Sequence, residues 1–441
     1  MMENVVAFVW QLLTAGWLAL LDYLAAHVLL CLLPAFFIAG ALSSLIPKET
    51  ITRYLGPRAS KWVSYPASAV GGFVLAVCSC TILPLFAGIW KRGAGLGPAI
   101  TFLFVGPAVN ILAIAYTGAA IGMDIAVARI LLSVIFGIGI GLIMARMFGE
   151  KTGAEADAGL FDRRAQVRPA VWTLFGLLIG ILIVGTLQVD LLTRAWFSVT
   201  LPVDFPAGLL AGLEGAHLNL QGALLILMLL VIAPVAWIGM GQVMRKFNGW
   251  TWAALGLAVV TLLIAAPYVD TSSSLVVGLT GRFLGEVVLL GAVVVVAARG
   301  LERHELASWL GETWKFVKQI FPLLLVGVFG AGMVKAIIPG QWIQTLAGRN
   351  TVWANLFGVL FGVFMYFPTL VEVPIARMFL DLGMHRGPLL AYLMADPELS
   401  VQSILVTTKI LGPKRTWAYV GLVTIFSTLA GYLFGLALAV L

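Results

Sequence analysis

Two thiols and three carboxylates stand inside stretches of this 441-residue chain that are otherwise apolar. Cys78 and Cys80 flank Ser79 and precede Thr81 and Pro84; Glu372 lies between Pro368 and Pro374; Asp396 and Glu398 flank Pro397. Thiolates are soft ligands suited to Cu(I), Zn or trivalent arsenic. Residues two apart point to different faces of a helix, so Cys78 and Cys80 converge on one metal-like centre only where the backbone is irregular. Otherwise they are small packing residues, as buried free cysteine commonly is. Carboxylates at membrane depth are costly and by default mark ion or proton pathways. The competing reading is that Glu372, Asp396 and Glu398 cap broken helices, whose amino ends favour anions, and Asp-Pro-Glu is also a helix-start signal.

Other polar groups carry less. Cys31 lies in an ordinary apolar span without a partner nearby in sequence and reads as packing, and His27 and His217 are too isolated to be metal ligands. Arg282 and Glu286, four apart, pair as an intrahelical salt bridge. Arg129, Lys335 and Arg377 fall near span ends, from which long cationic side chains can snorkel to the interface. No Walker, HExxH or GxSxG pattern occurs, and no polar segment is large enough to house a hydrolytic domain, so the chain is not expected to be an enzyme. No cofactor is implied.

The elements that hold these residues are membrane spans. Hydrophobic residues make up 61% and charged residues 11% of the chain, where a soluble protein carries about a quarter charged residues. Mean hydropathy is +1.04. Apolar runs of roughly 20 residues, the length a helix needs to cross the hydrocarbon core, recur along the chain; the shorter alternating segments of a β-barrel do not. The net charge of +7 resides in short loops between the runs, as membrane topology demands, which argues against a nucleic-acid partner. The first residues lack a basic region and cleavage site, so no removable signal peptide is expected.

The fold class expected is therefore all-α integral membrane: a polytopic helical bundle of about eleven spans. These are 5–21, 26–46, 96–117, 125–147, 170–187, 223–240, 250–268, 274–298, 316–338, 388–410 and 417–441. Two further stretches, 62–90 and 352–380, are too long for one span and too short for two, and each contains proline, which breaks helices. Both read as re-entrant hairpins, tolerable where broken backbone is buried in protein or lines a cavity. With the amino terminus cytoplasmic and both hairpins returning to their own side, most Lys and Arg fall inside, and the carboxyl terminus lies outside.

The halves repeat. At a constant offset of 290, Pro84, Gly93, Gly97, Pro98 and Pro107 fall on Pro374, Gly383, Gly387, Pro388 and Pro397, and the flanking IPKETITRYLG and IPGQWIQTLAG agree with a two-residue slip. The expected organisation is a first repeat over 1–147 with hairpin 62–90, a linker and central spans over 148–273, and a second repeat over 274–441 with hairpin 352–380. The topology inverts one repeat relative to the other. Inverted repeats with broken elements in matching positions are the usual build of secondary transporters, whose site lies near the midplane.

CSCTILPLFAGIWKRGAGLGPAITFLFVGPAVN from Cys78 and MYFPTLVEVPIARMFLDLGMHRGPLLAYLMADPELS ending at Ser400 resemble the paired signatures of the bacterial predicted-permease family. That family includes ArsP-like organoarsenical efflux permeases and relatives linked to copper and zinc efflux. The resemblance covers about 34–147 and 322–441. Its first pattern maps onto Cys78, Ser79, Cys80, Pro84, Gly97, Pro98, Gly106, Pro107 and Asn110, and its second onto Pro368, Thr369, Leu370, Glu372 and Val373. In ArsP-like members the thiols are taken to bind trivalent methylated arsenic, which has two exchangeable positions and so suits a thiol pair. This chain departs from some relatives in carrying Asp396-Pro397-Glu398 where they have a GPxxN-like segment.

The expectation is a secondary-active, multi-pass permease of the cell inner membrane. It would export a thiophilic small solute, a trivalent organoarsenical or soft metal ion, by alternating access with proton coupling. Cys78, Ser79, Cys80, Thr81, Pro84, Asn110, Pro368, Thr369 and Glu372 form the expected substrate site, with Cys78 and Cys80 as the thiolate ligands. Glu372, Asp396 and Glu398 form the proton-coupling set. Expected partners are the lipid bilayer, the solute and protons, with a homodimer as one assembly. The alternative is an intramembrane thiol-disulfide electron carrier. Such carriers typically place one cysteine in each half, whereas here both tip thiols lie in the first.

Overall fold

The computed structural model describes residues 2–26, 30, 32–46, 48–75, 79–109, 111–149, 168–186, 190–201, 213, 218–244, 247–270, 275–336, 340–364 and 372–440. Cys31, Cys78, Asn110, Pro368 and Thr369, with His27 and His217, lie outside the described residues, and Ser79 and Cys80 are described only as helical backbone.

Along the chain run α1 (Met2–Ala26), α2 (Leu33–Ser44), α3 (Lys48–Leu55), α4 (Lys61–Leu75), α5 (Ser79–Lys91), α6 (Leu96–Ala108), α7 (Ile111–Ala120), α8 (Met123–Phe148), α9 (Pro169–Thr186) and α10 (Asp190–Thr193). After strand β1 (Ala195–Leu201) come α11 (Leu220–Gly241), α12 (Gly249–Ala265), β2 (Tyr268–Asp270), β3 (Leu275–Thr280), α13 (Gly281–Gly300) and α14 (Arg303–Lys335). The chain closes with α15 (Gly340–Ala347), α16 (Val352–Phe364), α17 (Glu372–Asp381), α18 (Arg386–Ala395), α19 (Val401–Leu411) and α20 (Pro413–Val440). Among the described residues six helices, including α8, α11, α13 and α20, are long and apolar enough to cross a membrane. The protein is an all-α polytopic membrane protein, and its described residues include a small antiparallel sheet, ordered β1-β3-β2.

The expected spans differ from the helices in three places. Span 96–117 is two helices, α6 and α7, and span 388–410 is likewise divided into α18 and α19. Proline accounts for both breaks. Pro107 supplies no N–H and crowds the preceding turn, and α6 ends one residue later; Pro397 does the same beyond α18. The stretch 274–298 begins as strand β3 and becomes helical only at Gly281. Each long apolar stretch read as a hairpin is a pair of helices, α4 with α5 and α16 with α17. Pro84 does not make the first break. It sits inside α5, while Pro374 occupies the first turn of α17, where a missing N–H costs nothing.

The residues divide into two units: Met1–Ala19, Lys48–Asp162 and Ile320–Leu441 form one, and Leu20–Pro47 with Arg163–Gln319 the other. Within the first unit the offset of 290 is structural. Helices α6 and α18 begin at the paired residues Leu96 and Arg386, and α8 and α20 at Met123 and Pro413. The paired turns use Gly93 at φ +90° and Gly383 at φ +92°, left-handed backbone that favours glycine. The Gly95 N–H donates to Leu55 O at 2.7 Å, and its counterpart His385 N–H donates to Ala347 O at 2.9 Å.

Helix α6 packs on α8 and α18 on α20, and both inner helices are buried almost throughout. A helix buried all round belongs to a protein interior rather than a lipid face. Paired glycines allow this approach: a Cβ on Gly141 would stand 2.6 Å from Gly97 O, and one on Gly387 2.8 Å from Gly431 O. Small residues at such crossings are how membrane helices pack without a hydrophobic driving force. The outward faces of α8 and α20 carry exposed Leu131, Ile135, Ile425 and Leu433, as lipid contact requires.

The second unit packs α2 and α13 on α9 and α11 on α12. Trp309 Nε1 donates to Phe37 O at 2.8 Å. An apolar cavity of about 540 Å³ lies within it, bounded by Leu33, Phe37, Leu178, Trp252, Leu290 and Leu310.

Candidate functional site

Among the described residues, the polar groups with chemical capacity gather in the first unit, where the broken helices meet α8 and α20. Helix α8 is apolar for most of its 26 residues, yet its seventh residue is Arg129, which is 0% exposed. Arg129 Nη2 donates to Glu372 Oε2 at 3.1 Å and lies 3.0 Å from Oε1. Glu372 is the first residue of α17 and is also fully buried. Its charge is met twice, by the guanidinium and by the partial positive charge of a helix amino terminus. The snorkelling expected of Arg129 is overturned: packing of α8 against α18 leaves the side chain no route to the interface, and a buried carboxylate takes its place.

The break between α18 and α19 carries the other two carboxylates. Asp396 is the residue that closes α18 and Glu398 stands two further on; both are buried. Neither caps α19. Ser400 does, accepting from Ser403 N at 3.2 Å, with the two serine hydroxyls 2.7 Å apart. Glu398 Oε2 instead accepts a 2.9 Å hydrogen bond from Tyr419 Oη, the seventh residue of α20. Asp396 is different, because neither of its carboxylate oxygens makes a hydrogen bond among the described residues. It ends a helix, where the dipole opposes negative charge. Gln402 and the Tyr392 hydroxyl are likewise buried and without hydrogen bonds among the described residues.

Each half sends a helix against the broken helix of the other half. Helix α5, which begins at Ser79 and Cys80, packs against α19, and α17, which begins at Glu372, packs against α7. Arg377 Nη1 donates to Ala120 O at 3.2 Å across the latter contact. Thr81 and Pro84 are buried in α5. The thiol-bearing and carboxylate-bearing elements are thus interleaved, while Cys78, Asn110, Pro368 and Thr369 fall outside the described residues. Among the described residues no three His, Cys, Asp or Glu side chains come close enough to share a metal ion.

Tyr419, Tyr392 and Gln402 were not singled out by the sequence, and Arg129 was read only as a snorkelling cation. Arg129 and Tyr419 had a signal available, since they are repeat partners at the offset of 290, one charged and one phenolic in matching apolar helices. In the second unit Glu286 is buried, and a Cβ on Gly185 would stand 3.1 Å from its Oε1; Arg282 interacts with it electrostatically from one turn earlier.

The sequence profile of a family described as a predicted permease matches residues 14–436. The chain is 34% identical over 439 residues to the UPF0718 protein MJ0584 of Methanocaldococcus jannaschii, covering 99% of this chain and 100% of that protein. It is 25% identical over 236 residues to the UPF0718 protein YraQ of Escherichia coli, covering 52% of this chain and 61% of that protein. No solved structure matches.

Proposed function

This chain belongs to the predicted-permease family, and from that premise we propose that it is a secondary-active permease of the cell inner membrane, exporting a thiophilic small solute by proton-coupled alternating access. The solute is a trivalent organoarsenical or a soft metal ion. Cys78 and Cys80 bind it as thiolates, with Ser79, Thr81, Pro84, Asn110, Pro368 and Thr369 shaping the site around them. Glu372, Asp396 and Glu398 supply the coupling. The observation that carries this reading is the buried Arg129–Glu372 pair, with buried Asp396 and Glu398 within electrostatic range of the same guanidinium, set where helices are broken at matching positions of both halves. Irregular backbone and ionisable groups at membrane depth are retained where a solute or ion must pass.

The chemistry is self-consistent. A thiol must lose its proton to become a ligand, so solute binding releases protons, and a neighbouring carboxylate can receive them. Uphill movement then draws on the proton gradient.

The test is transport in everted membrane vesicles with methylarsenic(III), arsenite, Zn and Cu(I), each with and without an imposed proton gradient. The expected result is gradient-dependent accumulation of one thiophilic solute, abolished by Cys78→Ser/Cys80→Ser and unaffected by Cys31→Ser. A double thiol variant that transports normally removes the cysteines from the site.

A further inference from the structure

The charges buried around Arg129 do not balance. Arg129 meets Glu372 directly, while Asp396 and Glu398 both lie within its electrostatic range. One guanidinium therefore faces three carboxyl groups in surroundings from which water is excluded. An isolated ionised carboxylate in such surroundings neutralises rather than stay charged.

The three carboxyl groups differ in what compensates them. Glu372 has the guanidinium and the amino end of α17. Glu398 has the Tyr419 hydroxyl. Among the described residues Asp396 has neither, and it closes α18, where the helix dipole works against its charge. The groups that act on it electrostatically are Tyr392 on its own helix, Glu372 from α17 and Arg129 from α8, while Glu398, two residues on, is acted on by the same Arg129 and Glu372. Helix α16 contributes Gly362, which packs against the Asp396 backbone. The repeat partner of Asp396 is Gly106, packed in the same way on Gly72, so the first half has no carboxyl group at this place.

We propose that Asp396 is the proton-loading group of this permease, and that Arg129 and Tyr419, at equivalent places on α8 and α20, are positioning residues that withdraw Glu372 and Glu398 from that role. The assignment rests on the proton-coupled reading above and narrows it from three carboxyl groups to one. A proton fits the site better than a metal ion, because a hard cation needs several oxygen ligands and no three acidic side chains among the described residues converge. The proton comes from water on one side of the membrane, forms an O–H bond on an Asp396 oxygen, and returns to water on the other.

Difference infrared spectroscopy of the purified, solute-free protein in nanodiscs reads this directly, through the carbonyl stretch of a protonated carboxyl group as pH is varied. With Glu286, the buried carboxyl group of the second unit, changed to Gln throughout, the otherwise wild-type protein should show one titrating band. Asp396→Asn should lose it, whereas Glu398→Gln and the charge-matched double variant Arg129→Gln/Glu372→Gln should keep it. If the Asn variant does not fold, Asp396→Glu should retain a band at a shifted frequency, and an unshifted band there overturns the assignment. A band that survives Asp396→Asn, or that disappears in Glu398→Gln, overturns it as well. The readout is independent of transport. That otherwise wild-type protein without a titrating band but with gradient-driven transport sinks the Asp396 assignment alone. A band belonging to Asp396 in a protein whose transport ignores the gradient keeps the assignment and removes the coupling reading.

Discussion

Arg129 and Tyr419 occupy the same place, the seventh residue, of the two long helices α8 and α20, and each ends on a buried carboxyl group of the second half. Arg129 reaches Glu372 at the start of α17, and Tyr419 reaches Glu398 beyond the end of α18. One partner is charged and the other neutral, so a repeated scaffold holds two carboxyl groups by different means. The asymmetry continues in the broken helices, where Gly106 of the first half is Asp396 in the second. The backbone repeats while the chemistry does not: the first half supplies the guanidinium and the second the carboxyl groups.

The Arg129–Glu372 pair should be strongly coupled. Removing one member of a buried pair leaves an uncompensated charge, at a cost of about 3–5 kcal/mol, while removing both together is far milder. Arg129→Gln and Glu372→Gln should each lower the unfolding midpoint in nanodiscs, and the double variant should recover most of the loss. Simple additivity of the two single effects would show that the pair is not a unit.

Gly72 and Gly362 should both resist enlargement, with different consequences. A Cβ at Gly72 would stand 2.9 Å from Gly106 N, and one at Gly362 3.0 Å from Asp396 N. The obstacle is backbone in both cases, so alanine should destabilise each site by about 1–3 kcal/mol, as overpacking does. Only Gly362→Ala displaces the residue proposed to load the proton. Transport by that variant should lose its response to an imposed pH gradient more than Gly72→Ala does at matched stability; equal losses would mean that Asp396 has no special part.

The repeated turns provide a test of orientation. Arg92 and Leu382 precede the paired glycines Gly93 and Gly383, whose φ angles are +90° and +92°. In a background with Cys31, Cys78 and Cys80 changed to Ser, single cysteines at Arg92 and Leu382 should label from opposite sides of the membrane with an impermeant thiol reagent. Labelling from one side only would reject the inverted arrangement.

The helical class and the repeated helix starts and turns were legible in the sequence because hydropathy and the offset of 290 act locally. Asp396, Glu398 and Glu372 stood out for the same reason, as charges in apolar stretches. Arg129 was misplaced because distance along an apolar run says nothing about which face of a helix is covered. Its burial follows from packing of α8 on elements of the second half, and Arg129 and its partner Glu372 are 243 positions apart. The α6–α7 and α18–α19 breaks were also missed, since a run of apolar residues reads as continuous even where Pro107 and Pro397 interrupt it. The small sheet escaped notice because β1 pairs with β3 across the central segment and the neighbouring β2 is only three residues long.

The sharpest test sets Glu372 against its partner. Glu372→Gln leaves the Arg129 guanidinium buried without its carboxylate, and its Nε and Nη1 already make no hydrogen bond among the described residues. Asp396 is within electrostatic range and has two oxygens equally unoccupied by hydrogen bonds among those residues. The freed guanidinium should therefore turn to Asp396, hold it ionised and stop it from loading a proton. Solute binding at the thiols should persist while gradient-driven transport is lost. Glu372→Gln by itself cannot separate this from a direct role of Glu372 as the carrier. Adding Arg129→Gln can, because removing the guanidinium releases Asp396. The double variant should regain a response to imposed pH gradients in vesicles, well above that of Glu372→Gln alone. If the double variant stays as unresponsive as the single one while still binding solute, Glu372 itself carries the proton and Asp396 does not.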